Sequence, residues 1–168
     1  MIESNHKRIV CITGTVWTGS NSAPRKLLVE DGFVRPDWFT TGHAITDAEY
    51  RRVSHARFHQ AVADDEVLVH TKYGSDQVGI LRRDFQDAME NCKLGVLVVG
   101  PQEIVAQIAQ LKNQVEIFAL KTESMDLSHY LTDIEIGGRL HRVDLDFSRA
   151  GAWSKVHTHM LQVLGLEE

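Results

Sequence analysis

The chain alternates between short, continuous apolar runs and segments whose apolar positions recur at helical spacing. Leu94–Val99 is continuous and apolar, the pattern of a strand buried on both faces, and the largely apolar Arg8–Thr13 and Val115–Lys121 read as further buried strands. Glu66–Tyr73 alternates, and Gly74–Asp76 turns it into a second strand over Gln77–Leu81. Arg142–Phe147 reads as the last strand. Between these lie helical stretches at about Ala23–Glu30, Ser54–Ala63, Arg83–Asn91, a helix opened by Gly100-Pro101, and Trp153–Leu164. Ser54 is placed to cap the second of them, whose apolar side holds Phe58, Ala61 and Val62. The helix after Pro101 carries Ile104, Val105, Ile108 and Leu111 on one stripe, and the last turns Trp153, Val156, Met160, Val163 and Leu164 inward. Phe33–Thr41 is extended but interrupted by Pro36, Gly42–Arg52 is a polar loop, and a helix near Leu127–Asp133 precedes a break at Gly137-Gly138. Strands alternating with helices predict an α/β protein: a parallel sheet between two helical layers, with ligands at the C-terminal strand ends.

The stretch that organises this pattern is Ile9–Ser22, IVCITGTVWTGSNS. Strand, glycine loop and helix in that order turn backbone N–H groups and the positive end of a helix toward an anion. The frame G-x-x-x-x-G is present as Gly14 and Gly19. The Lys and Ser or Thr that would follow in such a loop are Ser20 and Asn21. Backbone donors need no side chain to hold an anion, and Ser20 and Ser22 each add a hydroxyl. Trp17 sits in mid-loop, where an indole either folds over the cradle, stacks on a base or anchors a protein partner.

Composition narrows the classes. A chain of 168 residues with 43% hydrophobic content suits one domain with one core, and its net charge of -5 argues against general nucleic-acid binding. Cys11 and Cys92 fall in apolar segments and read as small buried hydrophobes. No run reaches the roughly 20 apolar residues of a membrane span, and the N-terminus lacks a secretory h-region, so a cytoplasmic location is expected. His55 and His59, four apart, share a helix face but lack a third ligand, so solvated histidines and no metal site are expected. Asp144 and Asp146 share a strand face and read as a solvated edge rather than an acid–base pair.

The order of motifs resembles guanylate kinase along nearly the whole chain. After the glycine loop, Thr40-Thr41 followed by Tyr50-Arg51-Arg52-Val53-Ser54 is similar to the segment lining the family's GMP site. Phe58–Val62 and Glu66–Leu68 look like its next helix and strand, and Val78-Gly79 falls where the family has a Tyr-Gly turn. Leu94–Gln102 looks like the strand and loop carrying its paired aspartates, and Val115–Leu120 and Val143–Phe147 like its last strands. The resemblance implies a P-loop architecture in a single domain, with a monophosphate-binding subregion at about 34–81 and a shortened lid at about 122–142. It implies phosphate binding at Gly14, Gly19, Ser20, Asn21 and Ser22, and monophosphate binding at Thr41 and Tyr50. ATP and Mg²⁺ are the cofactors implied if transfer occurs, with Arg139 or Arg142 as the remaining lid cations.

The departures fall on the chemistry. The loop Lys is Ser20, the Arg after the paired threonines is Gly42, the Glu that reads guanine is Val69, and the acidic pair is Val99 and Gly100. Phosphoryl transfer depends on positioning and charge cancellation by Lys, Arg and Mg²⁺, and losing one such clamp costs about 3 kcal/mol. The expectation is a divergent nucleotide- or phosphate-binding protein with weak or absent transfer. The alternatives are a catalytically inactive protein-interaction module on the same fold, or a phosphotransferase whose acceptor is not a nucleotide.

Overall fold

The computed structural model describes residues 7–14, 28–42, 50–112, 115–122, 139–145 and 151–166. Trp17, Gly19, Ser20, Asn21, Ser22, Asp146, the helix near Leu127–Asp133 and most of the helix expected over Ala23–Glu30 lie outside these residues.

Five parallel strands form the main sheet, in the order β2 (Phe33–Val34), β7 (Gly95–Val99), β1 (Arg8–Gly14), β8 (Val115–Thr122), β9 (Arg139–Leu145). β1 is central, paired with β7 from Arg8↔Gly95 and with β8 through Gly14↔Leu120. Alternation divides the sheet's side chains between two cores. Ile9, Cys11, Val96, Val98, Val115 and Ile117 face one way; Val10, Ile12, Leu97, Val99, Phe118 and Leu120 face the other. The first face is covered by α2 (Arg82–Asn91) through Phe85 and Ala88, and by α3 (Gln102–Leu111) through Ile104, Val105 and Ile108. The second is covered by α4 (Ala152–Leu164) through Val156, Met160 and Leu164. The three-layer α/β architecture follows from this division. Cys11 and Cys92 are both buried and free, and burial pushes the Cys11 thiol far above its ordinary range.

A smaller sheet stands beside the first, in the order β4 (Tyr50–Arg52), β3 (Trp38–Thr40), β6 (Asp76–Leu81), β5 (Val67–Tyr73). The first core extends into it through Trp38, Val69, Val78 and Ile80. On its other side α1 (His55–Ala63) packs Phe58 and Ala61 against Phe39, Val67 and Leu81. The Phe39 and Phe58 rings stack at 4.4 Å. The Ser54 side chain accepts from the Arg57 backbone N–H at 3.0 Å and so caps α1. Gln107 of α3 binds the β5 backbone reciprocally: it accepts from His70 N–H at 3.1 Å and donates to His70 C=O at 2.8 Å.

Several expectations are corrected. The interruption expected at Pro36 does separate β2 from β3, but the two strands belong to different sheets. Tyr50–Arg52, expected within a loop, is the strand β4 on the edge beside β3, whereas Val78-Gly79 lies in a strand, as expected for Gln77–Leu81. Leu28–Glu30 is a turn rather than the end of a helix. Leu28 itself takes φ +68°, a left-handed conformation costing about 1–2 kcal/mol in a non-glycine residue. Its side chain is fully buried among Phe33, Val10 and Leu97, and that burial offsets the strain. Val62 and Leu111 point out of the core, at 37% and 54% exposure. The α1 stripe turns instead through Phe58 and Ala61, and that of α3 through Ala106 and Ala109, whose small side chains are buried against the sheet. The last strand starts at Arg139, not Arg142, because pairing with β8 begins at Glu116↔Arg139. His157 is not simply solvated: its Nε2 lies 2.6 Å from an Asp31 carboxylate oxygen, which ties α4 to the turn before β2.

Removing the α1 cap tests the helix that backs the smaller sheet. Ser54→Ala is expected to cost about 1 kcal/mol in urea unfolding without a change in m-value.

Candidate functional site

The C-terminal ends of β1 and β7 lie side by side, with the Gly100 N–H donating to Ile12 C=O at 3.1 Å. β1 finishes in Thr13 and Gly14. Gly14 has φ +120°, and a Cβ there would stand 2.0 Å from the Leu120 carbonyl oxygen, so only glycine closes this turn. Thr13 is fully buried, and its hydroxyl has no hydrogen-bond partner among the described residues. Alternation puts it on the Cys11 face, the face covered by α3. α3 begins at this same end: Pro101 is its N-cap, and no side chain caps it among the described residues. The first backbone N–H groups of α3 and the positive end of its dipole are therefore at the crevice. The buried Gln102 Oε1 lacks a partner among the described residues as well.

The smaller sheet closes the crevice from the side. A Cβ on Gly100 would meet the Trp38 ring at 2.7 Å, so the indole lies directly on the end of β7. Trp38 is 3% exposed and stacks on Tyr50 with centroids 5.6 Å apart. β3 and β4 run in parallel register, Trp38↔Tyr50 and Thr40↔Arg52, so Arg52 shares the Tyr50 face. Val69, Val78 and Ile80 are buried behind Trp38 in one cluster. Val69, the position that the sequence likeness sets against a guanine-reading carboxylate, is fully buried.

The expected site residues separate into groups. Gly14 and Tyr50 flank the crevice described above. Thr41 is held elsewhere: its hydroxyl accepts from Gln77 N–H at 2.9 Å and lies 3.5 Å from an Asp76 oxygen. Thr40 donates to Gln77 C=O at 2.9 Å, so both threonines tie β3 to the β5–β6 hairpin. A Cβ on Gly42 would meet the Asp76 carboxylate at 2.9 Å, which accounts for the absence of a long side chain there. Arg139 and Arg142 are in edge strand β9, where their backbone alone is described. Arg142 pairs with Ala119, one residue short of the Gly14–Leu120 level; Arg139 pairs with Glu116, four residues down, or roughly 13 Å. His141, between them, stacks on Phe118 and lies 2.6 Å from Glu116. Thr13, Gln102, Trp38 and Arg52 were missed by sequence reasoning. Arg52 would have been found by alternation once Tyr50–Arg52 was read as a strand.

Chemically, the described part of the crevice offers hydrogen-bond donors without a carboxylate pair. Mg²⁺ in such sites is held by one or two carboxylates together with substrate phosphates. β7 ends in Val99 and Gly100 beneath Trp38, and Glu103 in the first turn of α3 is exposed. This donor set does not fit the ion. No group of three or more His, Cys, Asp or Glu able to hold a metal occurs among the described residues, and no helix there is long and apolar enough to cross a membrane. One carboxylate of the smaller sheet region titrates unusually: burial pushes Asp84 above the ordinary carboxylate value of 3.8, against the opposing pull of Arg51.

With this geometry in view, the chain was compared with known proteins. No protein-family model matches it, and no curated protein matches it. Its fold matches the crystal structure of guanylate kinase from Anaplasma phagocytophilum, with a TM-score of 0.70 and 14% identity over 94% of this chain and 84% of that one. The chain therefore has a guanylate kinase-like fold.

Two substitutions test the crevice and its surroundings. Gly100→Ala forces the buried indole to move and is expected to cost about 1–3 kcal/mol in urea unfolding, with partial recovery when combined with Trp38→Phe. For Asp84, a carboxyl whose folded value is raised, the contribution to stability is full below 3.8 and is lost as pH rises through the folded value. The stability of the wild type relative to Asp84→Asn is thus expected to fall as pH rises from below 3.8 through the raised folded value; parallel pH profiles would rule out the burial penalty.

Proposed function

We propose that the chain binds a phosphate group, as inorganic phosphate or at the end of a nucleotide, in the cradle that begins at Gly14, with phosphotransfer weak or absent. The observation that carries the reading is the fully buried Thr13 hydroxyl beside Gly14 and the start of α3, neither of which has a side-chain partner among the described residues. Neutral donors of this kind hold an anion in the ground state. They do not supply the mobile cations that a transferring phosphoryl group requires. Gly19, Ser20, Asn21 and Ser22 complete the cradle in this reading, with ATP as the natural triphosphate to try and Mg²⁺ dispensable for binding. Tyr50 and Arg52 are the groups nearest the acceptor side, and Thr41 contributes through the hairpin it fixes.

A second reading is favoured by one feature, the apolar filling of the acceptor side by Trp38, Val69, Val78 and Ile80. A groove filled this way suits a protein-interaction module better than a nucleoside kinase.

Thermal unfolding with ATP, GTP, GMP and phosphate, each with and without Mg²⁺, separates the two. A ligand at 100 times its Kd stabilises by about 2.7 kcal/mol, or several degrees in a chain of this size. The expected result is a shift with phosphate or a triphosphate that survives removal of Mg²⁺ and grows for triphosphates in Ser20→Lys. No shift with any of the four at millimolar concentration would end the phosphate reading and leave the interaction module.

A further inference from the structure

The smaller sheet has a second concavity, on the face away from the crevice. Trp38 and Tyr50 face the crevice; their neighbours Phe39 and Arg51, in register with each other, face α1. There Phe39, Val53 and Leu81 floor a cavity of 130 Å³ whose walls are Arg51, Arg57 and Arg83.

The three arginines are held to different degrees. Arg51 pairs with Asp84, whose side chain is only 10% exposed, so its guanidinium is fixed against the wall. Arg57 contacts Glu66 at 3.1 Å, with both side chains about half exposed, and an ion pair in that setting contributes little. Arg83 is 70% exposed and approaches Asp84 only to 4.0 Å, beyond hydrogen-bond reach. Among the described residues, the walls therefore carry three cations against two contacting carboxylates, Asp84 and Glu66. Arg83 holds the cation least committed to the protein.

We propose that this cavity is a binding site for a small aromatic carboxylate. Size sets the apolar part: a cavity of about 150 Å³ lined by apolar side chains accepts one benzene ring. Phe39, buried and stacked on Phe58, lines the apolar part together with Val53, Ala61 and Leu81. Charge sets the polar part: a guanidinium presents paired N–H donors that match a carboxylate in a bidentate fork. Arg83 supplies that fork at the mouth, and Arg57 joins it by exchanging its solvent-exposed pair with Glu66 for the ligand. The site makes no use of Gly14 or Thr13, so its fate is separate from that of the phosphate cradle.

The test is titration with phenylacetate, followed by protein NMR shifts, with phenylacetamide as the neutral ring and acetate as the ringless anion. Saturable shifts in residues of β3, β4 and α1 are expected with phenylacetate, and affinity at least about tenfold weaker for each control, a difference of about 1.4 kcal/mol. Arg83→Gln is expected to weaken phenylacetate about tenfold, in line with loss of a charged bidentate partner, while leaving thermal unfolding unchanged. Arg57→Gln is a second surface variant with the same expected direction. Absence of saturation at millimolar phenylacetate, equal affinity for phenylacetamide, or full affinity in the Arg57→Gln/Arg83→Gln pair would each overturn the proposal.

Discussion

The packing of Trp38 on Gly100 is the contact on which the two sheets depend. The larger sheet ends β7 in a residue with no side chain, and the smaller sheet lays its indole into the space left there. Both residues serve one core: Trp38, Val69, Val78 and Ile80 join Val96, Val98 and the inner face of α3 without a polar break. A two-residue strand, a three-residue spacer around Pro36 and β3 carry the chain from one sheet into the other. With so short a connection, the angle between the sheets is set by what fits at the joint. An indole against a glycine allows the closest approach that the joint can take.

The same contact decides what the crevice can do. Its C-terminal strand ends, glycine turn and helix start bring together backbone donors and a buried hydroxyl, all neutral groups. Val99 and Gly100, where β7 ends, are both buried, and Gly100 lies under Trp38. Beside the crevice Trp38 is packed into the core, with Tyr50 stacked on the indole. Charge instead gathers on the far face, around Arg51, Arg57 and Arg83.

Much of this was legible in the sequence, and the misses have definite causes. Doubly buried strands such as Gly95–Val99 announce themselves as unbroken apolar runs, and Ser54 announces the start of α1. β4 did not, because Tyr-Arg-Arg carries no alternating apolar signal; it is a strand because Trp38–Thr40 offers it a parallel partner. β9 began early for the same reason, since its start is dictated by pairing with Glu116 rather than by its own residues. Val62 and Leu111 were misplaced because periodicity marks a stripe about a hundred degrees wide and cannot say where its centre lies. At the site, Gly14 was recognisable from its turn chemistry. The roles of Thr40 and Thr41 were hidden, because their partners lie more than thirty residues away, at Asp76 and Gln77.

Gln107 has a consequence for how this protein meets other chains. β5 is the outer strand of the smaller sheet, and an outer strand is a template on which a foreign backbone can be added. At His70 the template is already read: one side-chain amide presents a donor and an acceptor in the places where a neighbouring strand would present its own. A helix thus imitates a strand for the length of one residue, and growth of the sheet into another molecule is blocked at its middle by a single glutamine.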